Sequence, residues 1–169
     1  MIKILYAEDD AMQAKTCIDY LKRAGYKVVH AADGEQALWL YRRETPDLIL
    51  LDVIMPKMSG FEVAKKIREE DFSTPILFIS SLTHSQHAID GFDLGANDYI
   101  RKEVLLDEVV ARVNRWLRNM GMLKVETDFM KISGDVSFNP IRRYLIIKGE
   151  TNQLTPMETR VLKTLCLKK

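Results

Sequence analysis

Cysteine is nearly absent from this 169-residue chain. Cys17 and Cys166 stand far apart and fit no zinc or redox spacing, which leaves no thiolate metal centre or exchange motif to consider. Both fall at apolar positions of helix-like stretches and are expected to be buried free thiols. An apolar run of about 20 residues, the length needed to span a bilayer, is also missing. MIKILYA at the start is too short for the apolar core of a secretory leader, and acidic residues follow it at once. No membrane partner is expected, and the reading is of a cytoplasmic protein. Net charge is only +1, so bulk charge points to no polyanionic partner. Internal repeats and low-complexity segments are lacking too.

What is present is a composition able to bury a core, 47% hydrophobic and 29% charged. The length suits one ordinary domain plus a fragment, or two small domains. Charge is unevenly spread. Residues 1–122 hold 16 Lys and Arg against 19 Asp and Glu, whereas 123–169 hold 9 against 5. An acidic first part and a basic tail imply different partners for each.

Strand-like and helix-like segments alternate through the first 120 residues. Strands are expected at 2–7 (IKILYA), 26–31 (YKVVHA), 47–52 (DLILLD), 75–80 (PILFIS) and 98–100 (DYI), with helices near 11–24, 34–44, 59–70, 84–94 and 104–119. Near-continuous Ile/Leu/Val runs imply strands buried on both faces, hence a parallel sheet covered by helices. The expected class is therefore α/β, a doubly wound five-stranded parallel sheet. Ligands of such sheets bind beyond the carboxyl ends of the strands. Those ends carry Glu8, Asp9 and Asp10, then Asp52, Ser80 and Lys102, so chemistry-bearing side chains from four segments should meet at one edge.

Three carboxylates brought together there would repel one another and push a pKa upward. A hard divalent cation removes that penalty, and Mg²⁺ takes one or two direct carboxylates plus waters and phosphate oxygens. A carboxylate facing Mg²⁺ can attack an activated phosphoryl group and form an aspartyl phosphate. Ser80 and Lys102 are suited to contact the phosphoryl oxygens.

With ILYAEDD, PDLILLDVIMPKMSGFE, PILFIS and GANDYIRK in this order and spacing, region 1–120 resembles the receiver domain of two-component response regulators almost end to end. That resemblance implies a flavodoxin-like fold, with Asp52 as phosphoacceptor and Asp9 as a direct Mg²⁺ ligand. Glu8 would act on the metal through water, and the Ile54 carbonyl would be a further ligand. Ser80 and Tyr99 fill the two switch positions, and Lys102 pairs with the phosphate. A sensor histidine kinase is the implied donor. The protein would then be a signalling switch rather than an enzyme, with at most slow self-dephosphorylation. The face made by the fourth helix, fifth strand and fifth helix would rearrange for a partner.

Other residues have plainer readings. Asp10 is the N-cap of the first helix, Met55-Pro56 a supporting turn, and Gly60 a backbone requirement. His84 and His87 share the H-x-x-H spacing but lack an evident third ligand. Departures from the family pattern are equally specific. Glu103 follows Lys102 where proline, joined by a cis bond, is usual; before a non-proline residue a trans bond is expected. Lys102 would then sit differently, with Arg101 as a stand-in, and coupling to Tyr99 would weaken. Ile54 and Leu82, flanking the phosphoryl position, are apolar and cannot orient a hydrolytic water, so a long-lived phosphoryl form is expected. Asp93, Asp98, Glu108, Arg112 and Arg118 are candidates for cross-subunit ion pairs in a homodimer formed on phosphorylation. Ala88 and Asn97, however, replace a basic and an acidic residue common on that face.

Beyond a linker at 121–126, residues 127–169 read as strands at 130–133, 135–139 and 142–149, a turn at GETN, and a helix in LTPMETRVLKTLCLKK. Thr155, Pro156 and Glu158 form a capping box with proline at the first helical position, and Val161, Leu162 and Leu165 make the apolar stripe. The segment resembles the start of an OmpR/PhoB-type winged-helix effector domain, expected to be incomplete here. Its recognition helix would lie beyond Lys169, so DNA binding is expected of a full-length protein and not of this chain. The basic residues Arg160, Lys163, Lys168 and Lys169 fit the solvated face of a scaffold helix better than a nucleic-acid contact. Two outputs remain open: transcription control, or a receiver acting through protein contacts alone. An unrelated Mg²⁺-dependent phosphohydrolase is a distant third.

Overall fold

The computed structural model describes residues 1–82, 85–123, 130–140 and 143–166. His84, residues 124–126 of the expected linker, Arg142, Lys168 and Lys169 lie outside the described residues. The chain forms two compact units, Met1–Met122 and Leu123–Lys169.

In the first unit β1 (Lys3–Ala7), β2 (Lys27–Ala31), β3 (Leu48–Leu51), β4 (Ile76–Ser80) and β5 (Asp98–Arg101) alternate with five helices. These are α1 (Ala11–Arg23), α2 (Gly34–Glu44), α3 (Gly60–Arg68), α4 (Ser85–Asp93) and α5 (Leu106–Asn119). The sheet is wholly parallel in the order β2-β1-β3-β4-β5. Strand order therefore reverses between β1 and β3, the crevice where such sheets hold ligands.

Burial on both faces is what the apolar runs require. Leu5, Ala7, Ile49, Leu51, Ile76 and Phe78 join one core cluster with Ala37 and Leu40 of α2 and Val63 and Ile67 of α3. Residues of opposite parity, among them Ile4, Tyr6, Leu50, Leu77 and Ile79, are equally buried. By the two-residue strand period they face the other side, where α1 packs on β1 and α5. Each fully buried Leu or Ile stabilises by roughly 1.5–3 kcal/mol, so the four-residue core of β3 alone anchors the sheet centre.

Helix ends are fixed locally. Asp10 caps α1, accepting from the N–H groups of Met12 and Gln13. Ser59 and Glu62 form a reciprocal capping box on α3. Gly121, at φ +71°, lets the Met122 N–H reach the Leu117 carbonyl and ends α5 in a Schellman turn. Among the described residues no helix is long and apolar enough to cross a membrane.

The second unit is a four-stranded antiparallel sheet, β6 (Met130–Ser133), β7 (Val136–Asn139), β8 (Tyr144–Ile147) and β9 (Glu150–Gln153), followed by α6 (Pro156–Cys166). The turn lies earlier than the expected GETN. The reversal occurs at Lys148-Gly149, both at positive φ as a two-residue type I′ hairpin demands, and Glu150 pairs with Ile147 in a fourth strand. The capping box of α6 is present: Thr155 Oγ1 accepts from the Glu158 N–H, and Glu158 accepts from the Thr155 N–H. The thiols need a second correction. Cys17 is buried, but Cys166 is only half-buried, because α6 has no buried residue and its stripe leaves Val161 and Leu165 exposed.

Candidate functional site

Parallel strands place their carboxyl ends at one edge, so residues distant in sequence become neighbours there. Glu8 follows β1, Asp52 follows β3, Ser80 ends β4, and Lys102 follows β5. Glu8, Asp52 and Ser80 are buried to 1%, 3% and 0% exposure, while Asp9 is exposed. Carboxylate oxygens of Glu8, Asp9 and Asp52 all lie within 4.8 Å of one another.

Lys102 reaches into this group. Its ammonium sits 2.6 Å from Asp52 Oδ2 and 2.9 and 2.8 Å from Glu8 Oε1 and Oε2. The bond between Lys102 and Glu103 is trans, no cis bond occurring among the described residues. The loop absorbs the missing proline by a turn in which the Val104 N–H donates to the Arg101 carbonyl, while the Lys102 N–H donates to the Ser80 carbonyl. Lys102 therefore occupies the position next to Asp52, and Arg101 stays exposed instead of substituting for it.

Electrostatics follow from this count of charges. Burial pushes the Asp52 carboxyl above its ordinary pKa; Lys102 opposes that shift and the like charge of Glu8 adds to it. Burial pulls the Lys102 ammonium down, yet its bonds and attraction to Asp52 and Glu8 outweigh this and leave it raised. One ammonium against three carboxylates leaves the edge short of positive charge. An oxygen-only donor set of this kind, with room for water at the exposed Asp9, fits a hard divalent cation such as Mg²⁺.

The surrounding backbone is shaped around Asp52. Its Oδ1 accepts from the Ile54 N–H at 3.2 Å, and the Ile54 side chain is 54% exposed above the edge. A Cβ on Gly60 would stand 2.1 Å from the Asp52 carbonyl oxygen, so only glycine lets α3 start this close. In the MPK loop between them Lys57, at φ +64°, bonds Asp33 at 2.7 Å. The pairing of Asp33 with Lys57 has no signal in the sequence, because it depends on how two loops lie.

Ser80 and Tyr99 converge on one residue. Ser80 Oγ accepts from the Leu82 N–H at 3.2 Å, and the Tyr99 hydroxyl donates to the Leu82 carbonyl at 3.2 Å. Tyr99 is half-buried beside Phe78, with ring centroids 6.2 Å apart.

The expected interface residues divide. Arg112 pairs within the chain with Asp98 at 3.0 Å and with Glu108 at 2.7 Å, while Asp93 and Arg118 are exposed. Asn97 serves inside the molecule: its Oδ1 accepts from the Ile76 N–H at 2.9 Å and from Arg68 at 3.2 Å. Tyr6, which by its place in an apolar run has no polar signature in the sequence, donates to Glu8 Oε2 at 3.0 Å.

This geometry has close counterparts. Residues 4–114 match the family described as the response regulator receiver domain. The chain is 32% identical over 166 residues to the transcriptional regulatory protein RprY of Bacteroides fragilis, covering 98% of this chain and 70% of RprY. It is 35% identical over 170 residues to the alkaline phosphatase synthesis transcriptional regulatory protein PhoP of Bacillus subtilis, covering 96% of this chain and 71% of PhoP. Among solved structures, the Francisella response regulator 1452 receiver domain is similar with a TM-score of 0.68 and 30% identity, over 71% of this chain and 99% of that one. A buried acidic edge with its lysine, on a sheet ordered β2-β1-β3-β4-β5, and these matches lead to one conclusion: the chain belongs to the response regulator receiver-domain family, and it is homologous to transcriptional regulators of two-component systems.

Proposed function

We propose that Asp52 accepts a phosphoryl group from the phosphohistidine of a sensor kinase and that this controls the output of the protein. The observation that carries the reading is the buried Asp52 carboxylate held 2.6 Å from the Lys102 ammonium and beside Glu8 and Asp9. An Asp52 oxygen attacks phosphorus, the P–N bond to the histidine breaks, and the imidazole leaves with the electron pair. Asp9, Asp52 and the Ile54 carbonyl would hold Mg²⁺ directly and Glu8 through water; when bound, the ion neutralises charge on the transferring oxygens. Lys102 contributes the second positive charge.

Ser80 and Tyr99 carry the signal outward. A phosphoryl oxygen at Asp52 draws the Ser80 hydroxyl from the Leu82 N–H. That shift disturbs the residue whose carbonyl receives the Tyr99 hydroxyl, and so releases the ring. The face of α4, β5 and α5, with Asp93, Asp98, Glu108, Arg112 and Arg118, then forms a homodimer contact. Residues 1–120 act as the receiver, 121–126 as the linker, and 127–169 as the beginning of a winged-helix effector through which the full-length protein binds DNA in the cytoplasm. The chain is a switch and not an enzyme; apolar Ile54 and Leu82 slow hydrolysis of its phosphoryl form.

Treating wild type and Asp52→Asn with a small phosphodonor and Mg²⁺, and following intact mass and oligomeric state, tests this. Wild type is expected to gain one phosphoryl group and Asp52→Asn none. An unmodified wild type would refute the reading.

A further inference from the structure

Glu8 is the deepest carboxylate of the edge, and it has a neighbour that none of the roles above employs. Tyr6 lies in β1 and Glu8 directly follows it, two residues on and still bonded to the neighbouring strand through its N–H, so their side chains leave the same face of the sheet. Tyr6 is only 2% exposed, and its hydroxyl donates to Glu8 Oε2 at 3.0 Å. The backbone of Glu8 is held as well, its carbonyl accepting from His30 Nε2 at 2.9 Å and its N–H donating to the Ala31 carbonyl at 3.0 Å.

The other donor on the Glu8 carboxylate is of a different kind. Lys102 bonds both Glu8 oxygens, but it is shared with Asp52 and hangs on a loop after β5. A phosphoryl group on Asp52 competes for the same ammonium. Tyr6 has no such competitor. Its ring is packed in the core between α1 and the sheet, where Tyr6 and Cys17 line the same cavity.

We infer that Tyr6 is a positioning residue for the cation site: its hydroxyl pins Glu8 Oε2 from the core side and so aims the remaining oxygen at the metal's water. The inference rests on the proposed Mg²⁺-dependent phosphoryl uptake and extends it to a residue that touches neither metal nor phosphate. Outer-shell donors of this type raise the affinity of a site because they fix the orientation of a ligand before the ion arrives.

Tyr6→Phe keeps the ring and removes only the donor. Calorimetric titration with Mg²⁺ is expected to show Kd weakened about tenfold, the low end for loss of an outer-shell partner. The Mg²⁺ concentration giving half-maximal phosphoryl uptake should rise by the same factor while the plateau at saturating Mg²⁺ is unchanged. In a Glu8→Gln background, Tyr6→Phe should weaken Mg²⁺ no further, because the group it orients has been replaced. Equal Kd for wild type and Tyr6→Phe, or losses that multiply independently in the double variant, would overturn the inference. A wild type that binds no Mg²⁺ and gains no phosphoryl group would instead overturn the reading of Asp52, and the two failures are told apart by the wild-type titration.

Discussion

At the amino ends of the strands, Asp71 is saturated with donors; at the carboxyl ends, Asp52 is not. Asp71 Oδ1 accepts from the Ser73 N–H at 2.7 Å, the Ser73 hydroxyl at 2.7 Å and the Thr74 N–H at 3.1 Å, and Oδ2 accepts from Tyr41 at 3.0 Å. Burial raises its carboxyl, but these bonds prevail and hold it well below the usual range. Nearby, Arg68 donates to the Gly95, Asp71 and Thr74 carbonyls and to Asn97, stitching α3 to the loops that precede β4 and β5. Asp52 is buried where Asp71 is only half-buried, yet it shares one ammonium with Glu8, and its carboxyl is shifted up. One end of the sheet spends its polar groups on stability. The other keeps carboxylates under-neutralised, which is where a divalent cation has something to gain.

The largest effect expected from this contrast is at Asp52. Asp52→Asn should abolish phosphoryl uptake and yet raise the thermal midpoint by a few degrees in Mg²⁺-free buffer at pH 7. The sign follows from the raised carboxyl. Its penalty is absent below the ordinary value of 3.8, grows as pH rises through the higher folded value, and is fully present above it. The advantage of Asp52→Asn should therefore vanish in acid. A midpoint below wild type at pH 7 would show that the Lys102 pair outweighs burial.

Next in size is Arg68→Ala, which strands three carbonyl oxygens in two loops. We expect a loss of about 2–3 kcal/mol, from unsatisfied acceptors at about 1 kcal/mol or more each. Phosphoryl uptake should be unaffected at temperatures where the variant is folded. Chemical denaturation and intact mass read the two quantities separately, and a fall in uptake parallel to stability would mean that the two ends are coupled. Asp71→Asn should cost about 1–2 kcal/mol, with a pH dependence opposite to that of Asp52→Asn. The folded carboxyl is depressed, so its stabilisation is present above 3.8 and lost as pH falls through the lower folded value. Equal pH profiles for the two variants would break the comparison.

Most of this edge is legible in the sequence for a physical reason. Parallel strands that are apolar throughout must end together, so Glu8, Asp52, Ser80 and Lys102 can be assigned to one edge from strand boundaries alone. Tyr6 was open to the same logic, since residues two apart on a strand share a face, but an aromatic in an apolar run reads as core. β9 left no trace because Glu150–Gln153 are polar and exposed throughout, an edge strand without an apolar face. Asn97 looked like an altered interface acid because nothing local reveals that its carbonyl faces the Ile76 N–H, 21 residues away. The network around Arg68 is illegible for the same reason: its acceptors are backbone carbonyls, which every residue has.

Asp33 shows that position at the carboxyl edge does not by itself make a carboxylate under-neutralised. It caps α2 by accepting from the Gln36 N–H at 2.8 Å and pairs with Lys57 at 2.7 Å, and its carboxyl is lowered by both, the lysine bond first. Asp33→Ala should cost about 1 kcal/mol, the usual loss of a helix N-cap, with phosphoryl uptake retained. Lys57 is 55% exposed, so solvent and salt screen the pair. Lys57→Met should accordingly leave the thermal midpoint where it is, at low salt and at high. If Lys57→Met instead matched Asp33→Ala, the ion pair and not the cap would be holding the loop beside Asp52, and that variant should then slow phosphoryl uptake as well.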